Sequence, residues 1–216
     1  MNRLLAAILV LFSSCTNAGR NKNLLQPSPD TQLRNVLLVD SLGTVTVAIP
    51  LRYDTSFEWI NWSDCGKPCA HQEYRFQDKK NPITKESGWF WTDPKDSVDQ
   101  FTISHSSYIP FRESDTSRER MLLTHAHVKE YIRDELQYPP IIFDTVERIN
   151  DRYFSIVAME RSDTILEKRV LAVSYIKHNE IWFEYTLKTG KRDSTSRDFI
   201  RNSLELIKWI KIQKGP

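Results

Sequence analysis

The chain has 216 residues, and its 30 basic and 28 acidic side chains leave a net charge of +2 at pH 7. This balance argues against a nucleic-acid-binding protein, which would carry an excess of basic residues on one face. Without its N-terminal segment the chain keeps roughly 200 residues, which is enough for one domain with an adequate core.

The first fifteen residues have the pattern of a secretory signal peptide. Arg3 supplies a positive charge, residues 4–12 form a short apolar run, and two serines lead to a lone cysteine, Cys15. The apolar run is too short to span a bilayer. This pattern resembles the lipobox of bacterial lipoproteins, in which the signal is removed before a cysteine whose thiol carries a diacylglycerol. The resemblance implies a signal peptide at residues 1–14, lipidation of Cys15 and anchoring in the bacterial cell envelope, facing the periplasm or the cell surface.

The lipobox pattern is matched only in part, because Phe12 stands where the family usually has leucine. Cleavage after Ala18 is the alternative, and it would release a soluble protein without Cys15. Residues 15–34 are mostly polar and predict a flexible tether. A flexible chain of about 20 residues has a reach of roughly 25 Å, so the tether would hold the following domain clear of a membrane.

The first part of the predicted domain is rich in strands. Residues 35–40 and 44–49 flank a short turn and predict a β-hairpin. Three shorter strands are predicted at residues 73–76, 88–91 and 100–105.

The second part begins with a helix and ends with one. Apolar residues recur at helical spacing over residues 116–137, where Ser114 or Thr116 can cap the helix. Short polar turns then separate alternating segments, which favours antiparallel neighbours. These strands are predicted at residues 141–148, 153–159, 166–176 and 180–187. A final amphipathic helix is predicted at residues 194–211, with Thr195 at the start of a capping box.

This order of elements predicts a single α+β domain at residues 35–216, with an antiparallel sheet covered by the mid-chain and C-terminal helices. The hairpin strand at residues 45–50, the helix at 116–136 and the ending from Phe183 to Leu204 resemble the PsbP-like α/β/α sandwich. That family works as an assembly and binding scaffold, so the resemblance implies a binding domain without catalytic residues. Residues 57–97 fit the family pattern poorly.

Cys65 and Cys69 form the sharpest local motif. They are the two cysteines that remain if Cys15 is lipidated or removed, and Gly66 and Pro68 between them favour a turn. In an oxidising compartment such a pair predicts a disulfide. The alternative is a copper or thiol-redox site that includes His71, since thiolate and imidazole suit soft metals.

No other motif predicts chemistry. His125 and His127 are two residues apart on a predicted helix, where they point to different sides and cannot chelate one ion. The sequence contains no nucleophile elbow, no Gly-rich phosphate loop and no His-Glu-x-x-His. We therefore expect no catalytic residue, no metal site and no cofactor.

The sequence is rich in aromatic residues, with six Trp, eight Tyr and ten Phe. Aromatic residues usually fill a sheet core, but some anchor partner proteins. The residues to which this second interpretation applies are Trp59, Trp62, Trp89 and Trp91. The sequence thus predicts a non-enzymatic, membrane-tethered envelope lipoprotein that presents a partner-binding or assembly domain. An envelope enzyme or copper-handling protein that uses Cys65, Cys69 and His71 is the alternative.

Overall fold

A computed structural model describes residues 28–39, 42–61, 70–80, 97–106, 117–135 and 140–215. Several predicted features lie outside these described residues: the signal peptide with Cys15, the pair Cys65 and Cys69, the tryptophans Trp62, Trp89 and Trp91, and the strand at 88–91. The described residues form ten strands and two helices. In chain order they are β1 (Thr31–Leu38), β2 (Gly43–Pro50), β3 (Thr55–Asn61), β4 (His71–Gln77), β5 (Ser97–Ser106), α1 (Arg118–Glu135), β6 (Ile141–Ile149), β7 (Arg152–Ser162), β8 (Leu166–Ile176), β9 (Asn179–Thr189), α2 (Ser194–Ile207) and β10 (Lys211–Lys214).

The strands form two sheets. The larger has seven strands in the order β3-β4-β5-β9-β8-β7-β6, and the smaller has three in the order β1-β2-β10. All paired neighbours are antiparallel. Helix α1 carries the chain from β5, in the middle of the large sheet, to β6 at its edge. The meander from β6 to β9 then returns to β5, so β5 and β9 are neighbours although they are distant in sequence.

The core lies mainly between the two sheets. In β9, Ile181, Phe183 and Tyr185 point into it and are fully buried or nearly so, because alternate side chains of a strand share a face. The small sheet and α2 complete this cluster. A second, smaller apolar cluster lies on the opposite face of the large sheet, beneath Val128 and Ile132 of α1.

The predicted fold class is wrong. The described part of the chain is dominated by strands in two sheets and is not an α+β sandwich of the PsbP-like kind, with one sheet covered by two helices. One face of the large sheet is covered by the second sheet together with α2. On the other face, α1 packs mainly on β6 and β7.

The error arises at the C-terminus. The predicted last helix runs to residue 211, but α2 ends at Ile207 and a short turn leads into β10. Ile210 and Ile212 are both buried, which is the alternation of a strand. Ile212 pairs with Val45, so the last residues extend the β1–β2 hairpin into a sheet.

Most of the other predicted elements are confirmed. The β1–β2 hairpin, α1 and the four strands β6 to β9 lie where they were predicted, to within a few residues. Strand β3 was not predicted. The caps also differ, since Asp193 accepts a hydrogen bond from the Ser196 amide at α2 and Ser117 accepts one from the Arg120 amide at α1. Neither helix in the described segments is long and apolar enough to cross a membrane.

Candidate functional site

A groove of about 550 Å³ lies between α1 and the large sheet. We call it the α1 groove. Its helical wall consists of residues that recur three or four positions apart and therefore share one side of the helix. These are Thr124, His127, Val128, Tyr131 and Ile132. Val128 and Ile132 are buried against the sheet and fix the helix there. His127 and Tyr131 are exposed and form the open part of this wall.

The floor of the α1 groove is formed largely by β9. Glu180, Trp182 and Glu184 alternate along this strand and all point into the groove, whereas the residues between them enter the core. The Trp182 and Tyr131 rings meet edge to face with their centroids 5.5 Å apart. Met159 and Leu171 add an apolar base.

The far rim comes from the other half of the sheet. The strand register places Ser104 opposite Trp182, and Glu73 opposite Ser104, so one row of side chains runs from β9 to β4. Asn61 and His71, paired across β3 and β4, also line the groove. In the sequence, Asn61 and His71 flank the segment that carries Cys65 and Cys69.

Trp59 lies on β3 beside this rim and is half-buried. Its indole Nε1 donates to Asn61 Oδ1 at 3.1 Å, and the Arg75 guanidinium lies 4.7 Å from the ring centroid. Arg75 is itself almost fully buried and pairs with Glu73 at 3.2 Å. Trp59 thus helps to hold the rim in place.

Arg169 is the guanidinium that lines the groove, and it lies between two carboxylates. It pairs with Glu167 at 2.7 Å and with Glu184 at 3.2 Å. Burial lowers the pKa of Arg169, but the attraction of Glu184 and Glu167 outweighs burial and the net effect is a raised pKa. Arg169 is therefore a permanent charge that fixes Glu184 on the floor.

Glu180 has a different environment. Its Oε1 accepts a hydrogen bond from the Tyr175 hydroxyl at 2.7 Å, and its Oε2 accepts one from Trp182 Nε1 at 3.3 Å. The Tyr175 oxygen also lies 2.7 Å from the Thr124 hydroxyl on α1. These neutral contacts orient the carboxylate between helix and sheet.

His125 lies on α1, and its side chain faces the sheet, where it meets a serine and an aspartate. Its Nδ1 is 2.9 Å from Ser155 Oγ and its Nε2 is 3.6 Å from Asp144 Oδ2. Ser155 is fully buried, so its hydroxyl cannot meet a substrate as a nucleophile must. The trio joins the helix to the sheet and is not a catalytic triad.

The histidines on α1 diverge as their spacing predicts: His125 faces Ser155, and His127 lines the groove. Among the described residues no group of three histidine, cysteine or carboxylate side chains is placed to hold a metal ion. His71 lies at the rim, while its predicted cysteine partners lie outside the described residues.

Other cavities differ from the α1 groove in their lining. A cleft of about 650 Å³ separates the edges of β1 and β3, and a smaller one of about 250 Å³ lies near the start of α2. The charged residues of the larger cleft, Arg34, Asp54 and Glu58, are exposed. The α1 groove is distinguished by aromatic and charged side chains that are held at defined positions.

Sequence reasoning did not identify the residues of the groove. The alternation of Glu180, Trp182 and Glu184 is visible in the sequence, and it is the signal that could have marked one polar, aromatic face of β9. Their closeness to Glu73 and Tyr131 depends on the pairing of β9 with β5 and on the position of α1, which no local pattern encodes.

No protein-family model matches this sequence, and no curated protein sequence matches it. Among solved structures, one from Bacteroides thetaiotaomicron VPI-5482 at 1.50 Å resolution has a TM-score of 0.36 and 10% sequence identity. The likeness covers 79% of this chain and 45% of the other, so this chain spans less than half the length of that protein. A likeness of this degree supports no conclusion about function.

Proposed function

We propose that this chain is a non-enzymatic protein of the bacterial cell envelope, tethered to a membrane through Cys15, whose domain binds a partner in the α1 groove. The observation that carries the proposal is the Trp182–Tyr131 pair, which borders a concave site with fixed polar groups around it. Aromatic side chains are the most common anchors of protein interfaces, especially where polar groups surround them.

Two of the three carboxylates that line the described groove are held in ion pairs, which supports binding over catalysis. Glu184 is paired with Arg169, and Glu73 is paired with Arg75. A general acid or base must be able to exchange a proton with substrate. Carboxylates held by permanent cations instead act as fixed features of a recognition surface.

The tether is proposed from the signal pattern that ends at Cys15. Replacing the thiol in Cys15→Ala removes the site of lipid attachment, so the variant should move from the membrane to the soluble fraction after cell fractionation. A second substitution outside the motif, Ser28→Ala, serves as the control and should stay with the membrane. Equal partitioning of Cys15→Ala and the parent would contradict the tether.

Cys65 and Cys69 are proposed to form a disulfide within the chain segment that connects β3 to β4. A loop this small contributes only about 2 kcal/mol to stability, so the bond would set local geometry more than it would hold the fold together. On reduction the disulfide takes up two electrons and two protons, so the intact mass of the exported protein should rise by the mass of two hydrogen atoms. Free thiols that bind copper tightly would favour a copper site with His71 instead.

The groove is tested by site-specific crosslinking. His127 lines the groove, so a photo-activated residue at position 127 would point into it, whereas Glu130 is exposed and is not one of the lining residues. In cells that express the full chain, a defined adduct should form from position 127 and not from position 130. Adducts of equal yield from both positions, or from neither, would contradict binding in the groove.

A further inference from the structure

The described lining of the α1 groove carries more negative than positive side chains. Among these described residues, the carboxylates of Glu73, Glu180 and Glu184 stand against the single guanidinium of Arg169. His71, His127 and Tyr131 are the other titratable groups among its described lining residues. Glu184 is paired with Arg169 and Glu73 with Arg75, so Glu180 is the carboxylate through which the groove complements a ligand with positive charge.

Glu180 is the carboxylate that remains available to such a ligand. Both of its oxygens accept hydrogen bonds from neutral donors, and no cation among the described residues forms an ion pair with it. Arg120 is the nearby cation on α1, but its guanidinium lies over the Tyr175 ring, 5.7 Å from the centroid. The orientation of Glu180 is thus fixed, while no cation in the described part of the chain pairs with its charge.

The walls of the groove suit the remainder of a cationic side chain. Trp182 and Tyr131 provide aromatic surface, which attracts a guanidinium or ammonium group. Val128, Ile132 and Met159 lie at the apolar base of the groove and are almost fully buried, so the alkyl stem would lie mainly along the two rings. A planar guanidinium combines stacking on an aromatic ring with a directed contact to a carboxylate, which an ammonium cannot do as well.

We propose that the α1 groove recognises an arginine side chain of a partner polypeptide, with Glu180 as its charge partner and Trp182 as its stacking surface. This inference rests on the proposed binding function and names the chemistry of the ligand.

The test is a calorimetric titration of the purified full chain with two peptides, acetyl-Gly-Arg-Gly-amide and its citrulline analogue. Citrulline has nearly the shape of arginine without the charge. The arginine peptide should bind at least about tenfold more tightly, and this preference should decrease at high salt because ionic contacts are screened. Equal affinities for the two peptides would overturn the inference.

Two variants test whether Glu180 is the residue that recognises the arginine side chain. Glu180→Gln keeps the size of the side chain and can still accept a hydrogen bond from Tyr175, but it should abolish the preference for arginine. Glu130→Gln makes the same charge change at an exposed residue of α1 that does not line the groove, and it should retain the preference for arginine. If Glu180→Gln does not fold, as judged by circular dichroism, Trp182→Leu replaces it and should weaken binding of the arginine peptide at least about tenfold.

The outcomes separate this inference from the proposed function. A groove crosslink from position 127, together with no preference for arginine over citrulline, would leave the binding function in place and overturn the arginine site. A preference for arginine that survives in both Glu180→Gln and Trp182→Leu would place the cation elsewhere and would also overturn it.

Discussion

His125 illustrates how one residue connects the helix to the sheet. It contacts Ser155 of β7 and Asp144 of β6, and Lys129 forms an ion pair with the same aspartate. Burial lowers the pKa of His125, Asp144 opposes this effect, and Lys129 adds to it. The folded protein therefore favours the neutral imidazole.

This lowered pKa predicts acid sensitivity. Below its usual pKa of 6.5, His125 takes up a proton more readily in the unfolded chain than in the folded one. The stability that the neutral His125 contributes is therefore fully present above pH 6.5 and is lost as the pH falls through the lowered pKa of the folded state. His125→Gln removes this contribution.

The measurement is urea unfolding of the parent and of His125→Gln at pH about 7.5 and about 5.5. Both proteins share the same carboxylates, so the difference between them isolates the histidine. The parent should lose more stability than the variant on acidification. A difference that stays constant between the two pH values would contradict the prediction.

At the scale of elements, the start of α2 shows which residue acts as a cap. The Asp193 carboxylate accepts a hydrogen bond from the Ser196 amide at 2.9 Å, whereas the capping box predicted from sequence placed this role on Thr195. Loss of an N-cap costs about 1 kcal/mol. Asp193→Ala should therefore lower the free energy of unfolding by about 1 kcal/mol in chemical denaturation, while Thr195→Ala, a matched control in the same turn, should change it by only about 0.3 kcal/mol.

The small sheet depends on a glycine. Gly43 has a φ of +148° at the start of β2, and a Cβ there would lie 2.1 Å from the backbone oxygen of Gln213 in β10. Since backbone cannot move aside cheaply, Gly43→Ala should displace β10 and cost at least about 2 kcal/mol. Gly190→Ala is the control, because an added Cβ there meets no atom within 4 Å. Similar melting temperatures for the two variants would refute this account.

The strength of the local pattern determined which elements could be predicted. Strand β8 alternates buried and less buried residues before a fully buried end, and its predicted bounds match the structure. Strand β3 is an edge strand whose residues are all half-buried or exposed, so its alternation is weak. Strand β10 has only four residues, and Lys211 continues the spacing of the helix before it.

Such local patterns could not predict the groove, because the groove is formed by elements that are far apart in the sequence. Strands β5 and β9 are separated by α1 and three strands, yet their pairing places Ser104 beside Trp182. A sequence shows that Trp182 shares a face with Glu180, but not that this face lies under Tyr131. Long-range pairing therefore decided both the fold class and the site.

At the scale of the whole molecule, polar contacts join the two sheets. Tyr185 on β9 donates a hydrogen bond to the Ala48 carbonyl of β2 at 2.6 Å. Arg52 and Tyr53, which follow β2, both contact Asp99 on β5, with the Tyr53 hydroxyl 2.5 Å from Asp99 Oδ1. Burial raises the pKa of Tyr53 well above its usual value, and the charge of Asp99 raises it further. Tyr53 is thus a neutral donor to a charged acceptor at the junction of the sheets.

Removing that donor should loosen the junction. A hydrogen bond to a charged group contributes about 1.5–3 kcal/mol, and Asp99 keeps Arg52 as a partner, so Tyr53→Phe should cost about 1.5 kcal/mol. Tyr153→Phe is the control, because the Tyr153 side chain is half-buried and makes no hydrogen bond with a described residue. Both variants would be unfolded in urea and followed by tryptophan fluorescence. If Tyr53→Phe were as stable as Tyr153→Phe, the packing of Ile49 and its apolar neighbours would suffice to hold the sheets together without the polar cluster.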